Sequence, residues 1–239
     1  MSPRSAARAC SILAIVALLA PSFAIDLHAE PMGSPASILK KKQWVFGLSS
    51  GGFFGRGMDG GTDVSVFSIG HYRGYGLTDR LSLYGKIGGA WIDINDAVTT
   101  TKQSLGGNIL ASAQLKTRIW NSPSRRWEWD GSAQYVYMHA KRRQKSQGTW
   151  KEMQVASSVA CALGRFKPYL GGKVSVAELG YLYRKDGAIV QQGTYKSDNP
   201  IGAFFGTDIA FGEEEQMVIN IESGYLNGPE LDFSVNYVF

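Results

Sequence analysis

The chain has two cysteines, three histidines and eight prolines among 239 residues. So few cysteines exclude a disulfide-stapled scaffold, because Cys10 falls in an apolar leader and Cys161 is then left without an internal partner. His28 lies at the edge of that leader, so only His71 and His139 remain for chemistry. No Cys or His pair has the spacing of metal ligands, which argues against a zinc site. The glycine-rich piece 47–57 lacks the Lys-Ser/Thr of a phosphate loop. Charge is sparse as well. Without Arg4 and Arg8 of the leader, 23 basic residues face 20 acidic ones, a net +3 that implies no nucleic-acid partner. After the leader no segment approaches the ~18 apolar residues of a membrane helix. No cofactor is implied.

The leader has the pattern of a secretory signal. Arg4 and Arg8 form a basic start, the eleven residues Cys10–Ala20 are apolar, and Pro21 and Ser22-Phe23-Ala24 follow. Eleven residues are too few to span a bilayer as a helix. Cleavage after Ala24 is expected, with a second site after Ala29. Residues 25–42 then form an arm, expected to be mostly disordered, and 43–239 the folded part.

Glycine and aromatic residues are plentiful, and the apolar pattern has period two. It is clearest at the C-terminus. Leu231, Phe233, Val235, Tyr237 and Phe239 alternate with Asp232, Ser234, Asn236 and Val238, up to the last residue. With a leader present, this ending resembles the closing-strand signal of small bacterial outer-membrane β-barrels of opacity or porin-like type. The resemblance covers nearly the whole mature chain, but its motifs concern architecture. It implies an all-β, closed antiparallel transmembrane barrel in the bacterial outer membrane. It also implies recognition of the C-terminal strand by the barrel-assembly machinery.

Ten strands are predicted, near 43–53, 63–75, 81–94, 107–120, 127–141, 151–164, 168–183, 200–212, 216–226 and 230–239. Eight follow if the weak first or second strand is discounted. Short connections at 76–80, 121–126, 165–167 and 213–215 alternate with longer ones at 54–62, 95–106, 142–150 and 184–199, the periplasmic-turn and outer-loop rhythm of such barrels. Strand 168–183 changes phase near Ala177, which predicts a β-bulge that keeps Leu179 and Tyr181 toward lipid. Trp120, Trp127, Trp129 and Tyr237 near the turns, with Trp91, Tyr135, Tyr137, Trp150 and Tyr181 near the loops, predict two aromatic belts.

Inward phases carry charge. Lys86, Lys116, Arg118, Glu128, Asp130, Glu152, Glu178, Asp208, Glu222 and Asp232 are expected to form an ion-pair and hydrogen-bond network in the lumen, since a lone charge there is costly. If Trp120 opposes Arg126, Arg118 faces Glu128 and Lys116 faces Asp130; a shift of two residues brings Arg118 to Asp130 instead. Lys141, Arg142, Arg143, Lys145 and Lys151 cluster at the outer rim, where they are candidates to bind lipopolysaccharide phosphates or are simply solvated.

Outer-membrane proteases of the omptin type use an Asp-His couple, and lipid A deacylases a His-x-Ser. His71 precedes Tyr72-Arg73 and His139 precedes Ala140-Lys141, so neither fits. The expected role is therefore structural or surface-interacting, with a plugged lumen and no catalysis. A narrow cation-preferring diffusion channel is the alternative, and an enzyme acting on lipid A or peptides a more distant one. Outer-membrane lipid and lipopolysaccharide are the expected partners.

Overall fold

The structure, a computed structural model, describes residues 38–96, 101–106, 109–142, 146–185, 188–212 and 216–239. The expected leader and the arm up to residue 37 lie outside them, as do Arg143 and Lys145. Period-two alternation is realised as twelve strands: β1 Trp44–Met58, β2 Thr62–Thr78, β3 Leu81–Asp96, β4 Thr101–Leu105, β5 Ile109–Asn121, β6 Trp127–Arg142, β7 Ser146–Cys161, β8 Phe166–Lys185, β9 Ala188–Lys196, β10 Ile201–Phe211, β11 Met217–Tyr225 and β12 Pro229–Val238.

Ten positions make a closed antiparallel barrel, because β4 and β9 only extend two of them. β3 pairs with β5 over its first half and with β4 over its last residues. β8 likewise pairs with β10 low down and β9 above. The predicted long loops at 95–106 and 184–199 thus carry strand of their own. β1 and β7 also reach further into the predicted loops than the sequence suggested. The barrel closes where β12 pairs with both β11 and β1. At the seam Phe239 and Trp44 exchange backbone hydrogen bonds of 3.0 and 2.9 Å.

The outer surface is apolar. On β8, Phe166, Leu170, Val174 and Val176 are about half exposed or more, and Glu178 follows them. Ten residue steps at ~3.3 Å, tilted by about 40°, give a band of about 25 Å, the height of an outer-membrane hydrocarbon layer. Trp44, Trp120, Trp129, Tyr237 and Phe239 stand exposed at the turn end, with Trp91, Tyr135 and Tyr225 exposed toward the other.

The upper lumen departs from the sequence reading. Phe53, Val66, Ile92, Leu110, Val136, Met138, Trp150, Leu179 and Tyr181 form one buried apolar cluster there. Trp150 and Tyr181 are therefore interior packing and not belt residues. β8 runs in unbroken register against β7 from Tyr183 to Tyr169, with no bulge at Ala177. The apparent phase change is the inward row turning from polar to apolar, while the outward row ends at Val176. Lower down, β1 contributes Gly47, Ser49 and Gly51 to the inward row, and a side chain at Gly47 would collide with Asn236 and Tyr72.

The end of the arm is docked. Leu39 is buried with Val45, Tyr72 and Tyr84, its backbone N–H donates to Ser82 Oγ at 2.9 Å, and Lys42 N–H donates to Gly76 O. Residues 38–42 thus cap the turn-end mouth instead of hanging loose. Cys161 is buried at the end of β7, opposite Trp127 of β6; Cys10 lies outside the described residues.

Candidate functional site

The lumen is where the sequence concentrates charge, and the strands order that charge in levels. Nearest the turns, Arg118 on β5 bridges two acids on β6. Its Nε lies 2.9 Å from Asp130 and its Nη2 lies 2.9 Å from Glu128. Lys167 adds a second cation 3.2 Å from Glu128. The register is Arg118 opposite Asp130 and Lys116 opposite Ser132, so the predicted Lys116–Asp130 pairing does not form. The turn is the reason: Ser122 N–H donates to Trp127 O and Asn121 opposes Glu128, three residues off the predicted pairing, and a bulge at Ile119, where Ile119 and Trp120 both face outward, takes one of the three back. Lys116 instead lies under the Tyr84 ring.

At mid-height, Glu222 and Asp232 oppose each other directly on β11 and β12, with Lys86 and Lys173 supplying countercharge to Asp232. Tyr169 O–H donates to Glu222 at 2.8 Å, and Asn220 donates to Asp208 at 2.6 Å.

Above them sits Arg56, fully buried between Glu152, at 2.6 Å, and Glu230. Lys173 also pairs with Glu230. Trp150 and Gln154 donate to Glu152 at 3.0 and 2.7 Å. The guanidinium stacks on Phe53, 3.8 Å from the ring centre, joining the ion network to the apolar cluster. Thus most carboxylate oxygens at this level have a charged or hydrogen-bonding partner.

Four lumen charges are absent from the sequence reading: Lys167, read as part of a turn, and Lys173, Glu230 and Arg56. Lys173 and Glu230 share the inward parity of their strands and could have been read by extending it. Arg56 could not. It follows a bulge between Phe53 and Arg56 at which Gly55 takes a φ of 56°, so alternation alone points it the wrong way. Glu178 must be removed from the lumen set. It lies on the outward row of β8, 3.9 Å from Lys151 on the outer surface, both about half exposed. The other nine predicted lumen residues sit on inward rows.

A small cavity of about 40 Å³ lies among Arg56, Ser68, Lys86, Gln134, Gln154, Lys173 and their neighbours. That is room for a few waters at most. His71 stacks on Phe46 and His139 contacts Thr149 at 3.0 Å, both on the outward side. At the outer rim, Lys141 opposes Gln147 and Lys151 opposes Tyr137, two rows apart on the outward face of β6 and β7.

No family model and no curated protein sequence matches the chain. Several solved structures are similar in outline. The transport unit of the autotransporter AIDA-I from Escherichia coli shares 11% identity over 96% of each chain, with a TM-score of 0.44. The outer membrane protease OmpT from Escherichia coli shares 9% over 85% of this chain and 98% of its own, at 0.41. The attachment invasion locus protein Ail of Yersinia pestis shares 10% over 83% and 99%, at 0.36. At such scores they say nothing about activity. The assignment rests on the chain's own geometry: a closed, even-stranded antiparallel barrel, apolar outside and polar within, is an outer-membrane β-barrel.

Proposed function

We propose that this outer-membrane barrel is a non-catalytic, non-conducting scaffold of the opacity type, whose work is done at its outer surface. The observation that carries the reading is the filled lumen. An ion network crosses its middle, an apolar cluster fills its upper half, and the cavity between them offers about 40 Å³. The cation-channel alternative drew on an excess of inward acids. With Arg56, Lys173 and Lys167 counted, seven acids among the described residues face six bases, so that excess nearly vanishes. The outward placement of His71 and His139, away from the lumen carboxylates, supports a role without catalysis.

Planar-bilayer recording of the refolded full-length protein tests this. Silent membranes are expected at physiological salt and moderate voltage. Reproducible single-channel steps would overturn the scaffold reading in favour of a pore.

A further inference from the structure

Above the apolar band, the outward face of β6–β9 carries residues in ordered rows. Tyr137, Lys151, Glu178 and Lys196 oppose one another in sequence across the four strands. The next row outward is His139, Thr149, Gly180 and Thr194, and the one beyond is Lys141, Gln147, Leu182 and Gln192. Direct opposition sets neighbouring Cβ atoms ~5 Å apart, so each row is a continuous strip of side chains. In the middle row Gly180 has no side chain, and the strip dips. A trough of about 580 Å³ opens there, lined by Gln147, Thr149, Gly180, Leu182, Gln192 and Thr194.

The lining is that of a sugar site. Two hydroxyls and two amides offer donors and acceptors, bare backbone at Gly180 permits close approach, and Leu182 offers an apolar surface to a ring's C–H face. The frame is cationic: among the described residues Lys141, Lys151 and Lys196 outnumber Glu178 and Asp59, whose carboxylate accepts from the Lys196 backbone N–H at 2.9 Å. Lys151 and Glu178 are 3.9 Å apart and about half exposed, a loose pair that leaves the ammonium able to take a stronger anionic acceptor. Height then selects the occupant. The row Tyr135, Met153, Val176, one step below Tyr137, Lys151, Glu178, ends the apolar band, so the trough lies at headgroup level and faces sideways into the leaflet.

We propose that this trough binds the phosphorylated saccharide headgroup of an outer-leaflet glycolipid, with Lys151 and Lys196 holding phosphate and the Gln and Thr side chains holding the sugar. The proposal rests on the reading that the long-strand end faces outward. It replaces the rim cluster read from sequence: Lys141 and Lys151 belong to the site, whereas Arg143 and Lys145 lie outside the described residues, and of Arg142 only the backbone pairing with Ser146 is described.

The experiment uses the refolded full-length protein in micelles, titrated with purified lipopolysaccharide, native or enzymatically dephosphorylated. Two variants separate the parts. Gly180→Leu fills the trough; a Cβ there would meet nothing nearer than Thr149 O at 3.9 Å, so the barrel is expected to fold, as its gel mobility before and after boiling will show. Lys151→Gln with Lys196→Gln removes the phosphate contacts. Each should weaken binding of native lipopolysaccharide by about tenfold or more, as expected for losing a charged hydrogen bond or the contact surface. The double lysine effect should vanish on the dephosphorylated ligand, while that of Gly180→Leu persists. Wild-type affinity in both folded variants would overturn the site. Displacement by millimolar inorganic phosphate alone would overturn the glycolipid assignment in favour of a free-phosphate site. Conductance is read separately, so a pore that still binds lipopolysaccharide refutes the scaffold reading and leaves this site standing.

Discussion

Arg56 holds two carboxylates and two aromatic rings together at once, between Glu152 and Glu230 and against Phe53 and Trp150. Its removal leaves both acids buried with one cation fewer, and breaking a buried pair of this kind costs about 3–5 kcal/mol. Arg56→Ala should therefore lower the temperature at which the folded gel band converts to the unfolded one. Arg56→Lys should recover part of the loss, since a single ammonium lacks the planar fork that serves two acids together. Combining Arg56→Met with Glu152→Gln and Glu230→Gln should recover more, because no charge is then stranded. An Arg56→Ala barrel as heat-resistant as the parent would show that the network does not hold the lumen. This residue also marks the limit of what alternation can reveal. Period two tells inward from outward only while the ladder is regular, and Gly55 interrupts it just before Arg56.

Strands carry their own predictions through register. In β5 the bulge at Ile119 adds one residue that β6 does not match, so deleting Ile119 should leave Arg118 opposite Asp130 and the barrel intact. Deleting Ala113 instead, in the regular part of β5, moves one side of the strand by one residue and turns Gln114 or Leu115 to the wrong face. The two deletions should differ sharply in yield of folded barrel from outer membranes, and equal yields would contradict the register. The closing strand makes a second case. Phe239, just past the end of β12, carries the last outward side chain and two backbone bonds to Trp44, so removing it should impair assembly, read as loss of surface-exposed barrel with precursor accumulating. Most strands, and the closure at ten, were legible because lipid outside and polar groups inside impose strict alternation. β8 was misread where that contrast fails: Leu179 and Tyr181 are apolar yet inward, so Glu178 seemed to point into the lumen when it points away. Lys116 lost its expected partner to the turn, which sets Asn121 opposite Glu128, a displacement the one-residue bulge only partly reverses. The outer-rim rows were not legible at all, since they depend on register across four strands and on strand β9, which sits in a stretch read as loop.

For the molecule as a whole, the path from one mouth to the other is closed at several levels in series. Residues 38–42 cap the turn end, where Leu39 is buried against Tyr72 and Tyr84. Arg118, Glu128 and Asp130 narrow the same end, the Arg56 network spans the middle, and the cluster around Phe53 and Trp150 fills the far half. Resistances in series are set by the largest, so loosening one level does not open the rest. Arg118→Ala alone should thus leave planar-bilayer recordings as silent as the parent, even though it frees space near the turn-end mouth and leaves Glu128 dependent on Lys167. Emptying the apolar level as well is another matter. Phe53→Ala with Trp150→Ala removes the two rings packed 4.9 Å apart across the upper lumen and uncovers the Arg56 guanidinium to water. An apolar constriction that excludes water becomes a wettable one, and ions follow water. With Arg56→Ala and deletion of residues 38–42 added, so that every level is opened, the combined variant should show ion conductance, provided its gel mobility confirms a folded barrel. Conductance from Arg118→Ala by itself would place the controlling constriction at the turn end, and the apolar cluster would then be packing without a sealing role.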